Sequence, residues 1–368
     1  MIPVFRPEIS NTDISSVVRA LKSGEISGSF GENIKNLEKN FAKFIGTKYA
    51  VAVTSGTTAL HLSVAVCNFP KNSEIIISST TNIATALAVV HNNCLPVPID
   101  SDPLTWNIDV NLIEKKITKK TKAIIVVHFL GNPVDMKKIM LIAKKYNLIV
   151  IEDAAESHGS SFNKKILGSF GLMGCFSLYA NKIITCGEGG IITTNNNKVY
   201  QKLKLHRNLG FAVPRFKHFV SGYNFRMTGY QAAFANSQLK RIKYIIRKKI
   251  HIQKTYEYYL SDIKVINFQK TITNCVNTYW MVGILLSLKS KISRNVLSKK
   301  LNNAGIETRN FFMSMRQQPC LKKYFRKNIH LTPVSDLLWD NGMYLPSSHN
   351  LSDLEIKKIC SVIKKILL

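Results

Sequence analysis

Apolar positions along this chain follow two rhythms. Between residues 49 and 153, short unbroken apolar runs alternate with stretches of helical spacing. Ile75-Ile76-Ile77, Ile124-Ile125-Val126-Val127 and Ile149-Val150-Ile151 are runs of the first kind. They predict strands at 49–54, 74–78, 95–99, 122–128 and 148–153. Helices are predicted between them, one after Ser55-Gly56-Thr57-Thr58 through Leu60 and Leu62 and others at 84–91, 110–116 and 136–146. A strand without polar alternation is buried on both faces, as in a mainly parallel sheet covered by helices. Ahead of this region lie predicted helices at 13–22 and 33–45, the latter with Ile34, Leu37, Phe41 and Ile45 on one face. The glycine- and serine-rich GEISGSFG between them reads as an exposed loop. Beyond it, GCFSLYANKIITCGEGGIITT reads as a strand, a turn holding Lys182, a glycine-rich reversal and a second strand.

The alternation stops at a long helical pattern over 231–260. A strand at 280–286 and helices at 294–304 and 353–368 follow, which suits a smaller α+β unit. The expected organisation is a large α/β domain over 1–245 and a small C-terminal α+β domain over 246–368. The N-terminal lead-in is a candidate to pack on the small domain. With 368 residues, two cores can be buried.

Composition changes this picture little. Hydrophobic residues make up 45% and charged residues 20%, ordinary for a globular chain, and no apolar run reaches membrane-spanning length. No secretory signal is visible in MIPVFRPEIS. The seven cysteines are scattered and form no CxxC pair, so neither a disulfide framework nor a zinc site is expected and a reducing cytoplasm is. The formal charge of +29 raises the question of a nucleic-acid partner. The lysines are dispersed, as in Lys119, Lys120, Lys248, Lys249, Lys364 and Lys365, and no helix-turn-helix or aromatic-basic motif accompanies them. A compositional bias spread over helix surfaces is the favoured explanation. The resulting field would still attract an anionic substrate.

Four places carry candidate chemistry, each with a plainer alternative. Ser55-Gly56-Thr57-Thr58 opens a helix after a strand, which suits a phosphate, although such residues also serve as ordinary caps. Asp153 ends an apolar strand before two alanines, so it could face a cationic ring nitrogen or cap the next element. Glu156 and His158 could assist, with a structural role favoured for His158. Ser177 lies on the strand before Lys182. Lys182 has no acidic residue within five positions. A buried lysine amine is desolvated and nucleophilic, as Schiff-base chemistry needs; a lysine at an exposed hairpin tip is neither. Asn224 and Arg226, in GYNFRM, could bind an anion or cap a loop. Together these are parts of a pyridoxal phosphate site: a phosphate cup, an acid for the ring nitrogen and an amine for the aldehyde.

The ordered set TSGTTALHL, IEDAAESHG, FSLYANKIITCGEGG and GYNFRMTGYQAA resembles the DegT/DnrJ/EryC1/StrS family of sugar aminotransferases. MIPVFRPEIS, DPLTWNID, HFLGNPVDM, NTYWMVGILL, GIETRNFF and YLPSSHNLSDLEI extend the resemblance over nearly the whole chain. It implies a fold-type I, aspartate aminotransferase-like transferase with a mainly parallel seven-stranded sheet and pyridoxal 5'-phosphate as cofactor. By the same resemblance, Lys182 would join the cofactor's aldehyde and move protons. Asp153 would hold the ring nitrogen protonated. Gly56, Thr57 and Ser177 would hold the phosphate, and Asn224 would reach it from the partner of a homodimer. Glu156 stands where many relatives carry Gln, and Asn82 where many place an aromatic ring against the cofactor.

Lysine at 182, where sugar-dehydrating members carry histidine, implies transamination. NFRMT implies amination at C4, and the overall resemblance is to perosamine-synthase-like members using glutamate and a GDP-linked 4-keto-6-deoxymannose. UDP- or dTDP-linked 4-keto-6-deoxyglucose is the alternative substrate. Arg309 is the candidate for the diphosphate. A cofactor-binding regulator without turnover stays open as a different kind of protein.

Overall fold

In the computed structural model, the described residues are 1–28, 30–214, 216–325 and 331–368. A seven-stranded sheet runs in the order Tyr49–Val53, Gly190–Thr194, Met173–Ser177, Ile149–Asp153, Thr121–Val127, Glu74–Ser78, Leu95–Ile99. Only Gly190–Thr194 is antiparallel to its neighbours, because the segment over 178–189, which carries Lys182, returns the chain alongside Met173–Ser177. The other strands point the same way, so their carboxyl ends share one edge.

Unbroken apolar runs serve both faces of this sheet. Val51, Val53, Ile75, Ile77 and Ile125 belong to one core with Leu60 and Leu62 of the Gly56–Ala65 helix. Ile76, Ile124 and Val126 point the other way, into a core with Met136 and Ile139. On that second face Ala50 and Ala52 pack with Leu37 and Phe41 of the Asn33–Ile45 helix. A second, four-stranded antiparallel sheet runs in the order Ile266–Phe268, Val282–Leu286, Gly342–Leu345, Arg309–Asn310. Leu297, Leu301, Ile356 and Ile359 of the Arg294–Asn303 and Asp353–Leu367 helices cover it. The chain's start lies beside it: Ile2 donates to and accepts from the backbone at Gly305 and Glu307, and Val4 O accepts from Ser347 N at 2.8 Å. Among the described residues, no helix is long and apolar enough to cross a membrane.

Two expectations are corrected. The helix expected over 110–116 is two 3₁₀ turns, Val110–Leu112 and Glu114–Lys116. The bonds there run to the third residue back, as from Lys116 N to Ile113 O at 2.9 Å. Seven residues ending at an extended Ile117 are too few to sustain α-helical nucleation.

The helix expected over 231–260 is two, Gly229–Lys240 and Ile242–Tyr259, with a corner at Arg241 (φ −107°, ψ 11°). Arg241 bonds Glu8 Oε1 at 2.7 Å and Asp13 Oδ2 at 2.9 Å, so contact with the N-terminal segment overrides local propensity. The second of these helices spans residues 245 and 246 and serves two cores: Ile242 and Ile245 beside the large sheet, Ile252 and Tyr256 beside the small one.

Candidate active site

The Gly56–Ala65 helix starts where the Tyr49–Val53 strand ends. Ser55 Oγ accepts from Thr58 N at 3.1 Å and Thr58 Oγ1 from Ser55 N at 3.0 Å, a capping box. Gly56 and Thr57 contribute the next amides, and first-turn amides have no partner inside a helix. A Cβ on Gly56 would lie 2.7 Å from that of Ser177, so glycine lets the Ser177 hydroxyl close against the helix start. Amides and hydroxyl together make an anion cradle.

Asp153 ends its strand on the same edge. Its Oδ2 accepts from Thr85 Oγ1 at 2.8 Å and its Oδ1 from Ala155 N at 3.2 Å. Burial pushes its pKa up, against these two bonds and the nearby Lys182. Asp153 is only 5% exposed and takes part in no ion pair among the described residues. A buried carboxylate in that state is stabilised by an incoming cation, and a protonated ring nitrogen fits.

Lys182 sits in a turn closed by its own N–H to Tyr179 O at 2.9 Å. Its side chain is 11% exposed, and Nζ lies 3.8 Å from Glu156 Oε1. No acid is near it in sequence, yet the fold supplies one from the segment after Asp153. Burial drives the lysine pKa down, with Glu156 and Asp153 opposing. Burial raises Glu156 to about 7, with Lys182 as the chief opposing influence. Glu156 Oε2 accepts from Leu130 N at 2.9 Å, which leaves Oε1 for the amine. Burial thus weakens the charge on each partner, and each steadies the other's.

Six of the expected residues, Gly56, Thr57, Asp153, Glu156, Ser177 and Lys182, line one cavity of about 330 Å³. Asn224 and Arg309 lie outside it. Asn224 forms a bridge with Asn208, and Arg309, with a side chain 56% exposed, meets Glu307 at 3.3 Å. His158 is buried against Phe41, edge-on, and Phe176, tilted, and burial takes its pKa down to about 3. A larger cleft of about 730 Å³ is lined by Lys35, Lys39, Lys43, Arg207 and Arg226. Its one acidic lining residue, Glu38, is already held by Arg207 at 2.5 Å.

Three site residues escape the sequence reading. Thr85 bonds Asp153, Trp280 places its ring 3.8 Å from Lys182 Nζ, and Phe312 joins it in the cavity wall. Asn82 also lines the cavity, so aromatic surface comes from Trp280, Phe312 and Tyr179 and not from position 82. Thr85 has a faint signal, since it lies four residues after Thr81 and bonds it at 3.0 Å. Nothing local marks Trp280 as a partner of Lys182.

A lysine–carboxylate pair, a strand-end acid and an anion cradle on one edge of such a sheet define a pyridoxal phosphate-dependent transferase of fold type I. Residues 7–364 match the DegT/DnrJ/EryC1/StrS aminotransferase family, and the chain belongs to that family. The GDP-perosamine synthase of Escherichia coli O157:H7 is 36% identical over 365 residues, which cover 99% of this chain and 98% of the relative. That of Vibrio cholerae is 32% identical with the same coverage. Among solved structures, a Helicobacter pylori aminotransferase involved in pseudoaminic acid biosynthesis superposes with a TM-score of 0.94 at 25% identity, over 100% of this chain and 99% of that one. An E. coli GDP-4-keto-6-deoxy-D-mannose-3-dehydratase with bound hydrated pyridoxal phosphate superposes at 0.92 and 27% identity, over 99% of each.

Proposed function

We propose that this chain moves the amino group of glutamate to C4 of a GDP-linked 4-keto-6-deoxy sugar, with the mannose configuration favoured and GDP-perosamine as product. The observation that carries the reading is the Lys182–Glu156 pair at 3.8 Å, in a cavity that also holds Asp153 and the Gly56–Ser177 cradle. Two GDP-perosamine synthases at 36% and 32% identity support the choice of sugar.

Pyridoxal phosphate, when bound, supplies an aldehyde for amines and an electron sink for the carbon that loses its proton. The rest falls to residues of this chain. The amides of Gly56 and Thr57 and the hydroxyl of Ser177 bind the phosphate. Asp153 holds the ring nitrogen's proton, with Thr85 and Ala155 keeping the acid in place. Lys182 Nζ takes a proton from glutamate's α-carbon and later delivers one to the sugar's C4, with Glu156 beside it as the countercharge. Asn224 completes the phosphate site of the other subunit in a homodimer, and Arg309 meets the diphosphate.

The test is a panel of GDP-, UDP- and dTDP-linked 4-keto-6-deoxy sugars with glutamate and the purified protein. An amino sugar formed fastest from the GDP-linked mannose substrate is the expected product. Faster turnover of a UDP- or dTDP-linked glucose substrate would move the assignment to the other nucleotide. No amine from any of them would overturn the aminotransferase reading.

A further inference from the structure

Trp280 precedes the Val282–Leu286 strand of the small sheet and is 4% exposed. It touches the lysine–carboxylate pair in three ways. Its ring centroid lies 3.8 Å from Lys182 Nζ. Its indole Nε1 donates to Asn181 O at 2.7 Å, the carbonyl just before Lys182. Its backbone N–H donates to Leu130 O at 2.9 Å, and Leu130 N in turn donates to Glu156 Oε2 at 2.9 Å. Leu130 has φ 58°, a conformation unusual for leucine, and these two bonds bracket it. Tyr344 of the neighbouring strand meets the indole edge-on at 5.9 Å, so the small sheet sets the ring's orientation.

We propose that Trp280 is a positioning residue: it holds the Lys182 amine beside Glu156 and favours its charged form through the indole face. The inference rests on the aminotransferase reading for its purpose, not for its geometry. An ammonium over an indole face gains from the ring quadrupole, more so when water is excluded. That gain opposes the burial that otherwise drives Lys182 toward the neutral amine. Of the titratable groups around the amine, Glu156 and Asp153 favour its charge as well, Glu188 and Tyr179 line the same cavity, and His158 is held neutral by burial. Tyr344 has its pKa driven well up by burial and so adds no charge. The indole thus adds a neutral group on the amine that sustains its proton affinity. It would keep the lysine a competent base once glutamate's amine has displaced it.

The test compares Trp280→Phe and Trp280→Leu in the full-length protein. Competitive acetylation at a series of pH values, read by peptide mass, follows the Lys182 amine in cofactor-free protein. For Trp280→Leu the midpoint should fall by about one pH unit, with Trp280→Phe between it and wild type because a weaker ring remains. The same order should appear in the acidic limb of the kcat profile, where the base loses its proton, with KM for glutamate changed less than kcat. Should Trp280→Leu fail to fold, Trp280→Tyr and Trp280→Phe carry the comparison. A Lys182 midpoint unmoved in folded variants would overturn the proposal, as would a phenylalanine variant no better than leucine. Because the labelling uses no substrate, a shifted midpoint with no aminotransfer in wild type would sink the proposed function and leave this inference standing.

Discussion

Thr85 offers a clean perturbation of the site. Its hydroxyl donates to Asp153 Oδ2 at 2.8 Å, one of two hydrogen bonds that this buried carboxylate accepts. Valine keeps the shape and removes the donor. A hydrogen bond to a charged group contributes roughly 1.5–3 kcal/mol, equivalent to about one to two pH units at ~1.4 kcal/mol each. Burial already pushes the Asp153 pKa up, and losing Thr85 pushes it further. The acid then neutralises more readily and pairs less well with a protonated ring nitrogen. Affinity of Thr85→Val for pyridoxal phosphate should fall more steeply than in wild type as pH drops, by up to roughly 10- to 150-fold once the free carboxyl is protonated. Thr81, which bonds the same hydroxyl at 3.0 Å, loses a partner too, so Thr85→Ser is the control that restores both contacts. Equilibrium dialysis against the cofactor, with circular dichroism to confirm folding, makes the measurement. Affinity within twofold of wild type in folded Thr85→Val, or equal losses in the serine and valine variants, would show that the Thr85 hydroxyl does not steady Asp153.

Three further outcomes are expected. Glu156 titrates near 7 in the folded chain against an ordinary 4.5, so the folded state holds an extra proton in that window. Its contribution is intact below the lower value and lost as pH rises through the upper one; in Glu156→Gln, melting temperatures of cofactor-free protein should fall less across the window. Lys249 is buried, donates to Ser347 O, and has its pKa lowered from 10.5 to about 7 by burial. The folded chain therefore binds fewer protons between those values and gains stability as pH rises; Lys249→Met should lose that rise in urea titrations run at both ends of the range. In Gly56→Ala the new Cβ would lie 2.7 Å from that of Ser177. Urea unfolding should show a loss of about 1–3 kcal/mol, and dialysis a weaker cofactor affinity, because the helix start and the hydroxyl must part.

What the chain's pattern discloses depends on how local its causes are. The strand runs of the large sheet are legible because both faces are buried, as Ile75, Ile76 and Ile77 show by alternating between two cores. The capping box at Ser55 and Thr58 is likewise a short-range signature. Asp153 and Lys182 stand out by type and place. Their partners do not. Glu156 reaches Lys182 only because a parallel sheet brings the ends of separate strands to one edge. Trp280 arrives from the small sheet, 98 residues away in sequence from the lysine it covers. The corner at Arg241 is hidden for the same reason, since Glu8 and Asp13 that hold it lie more than 200 residues earlier.

The most direct test of the account is where the cofactor attaches and whether glutamate releases it. Protein loaded with pyridoxal phosphate is reduced with borohydride, with or without prior exposure to glutamate, and its peptides are mapped by mass. A pyridoxyl group on Lys182 without glutamate, and its loss after glutamate, is the expected result. A label on another of the chain's many lysines, or one on Lys182 that glutamate does not remove, would contradict it.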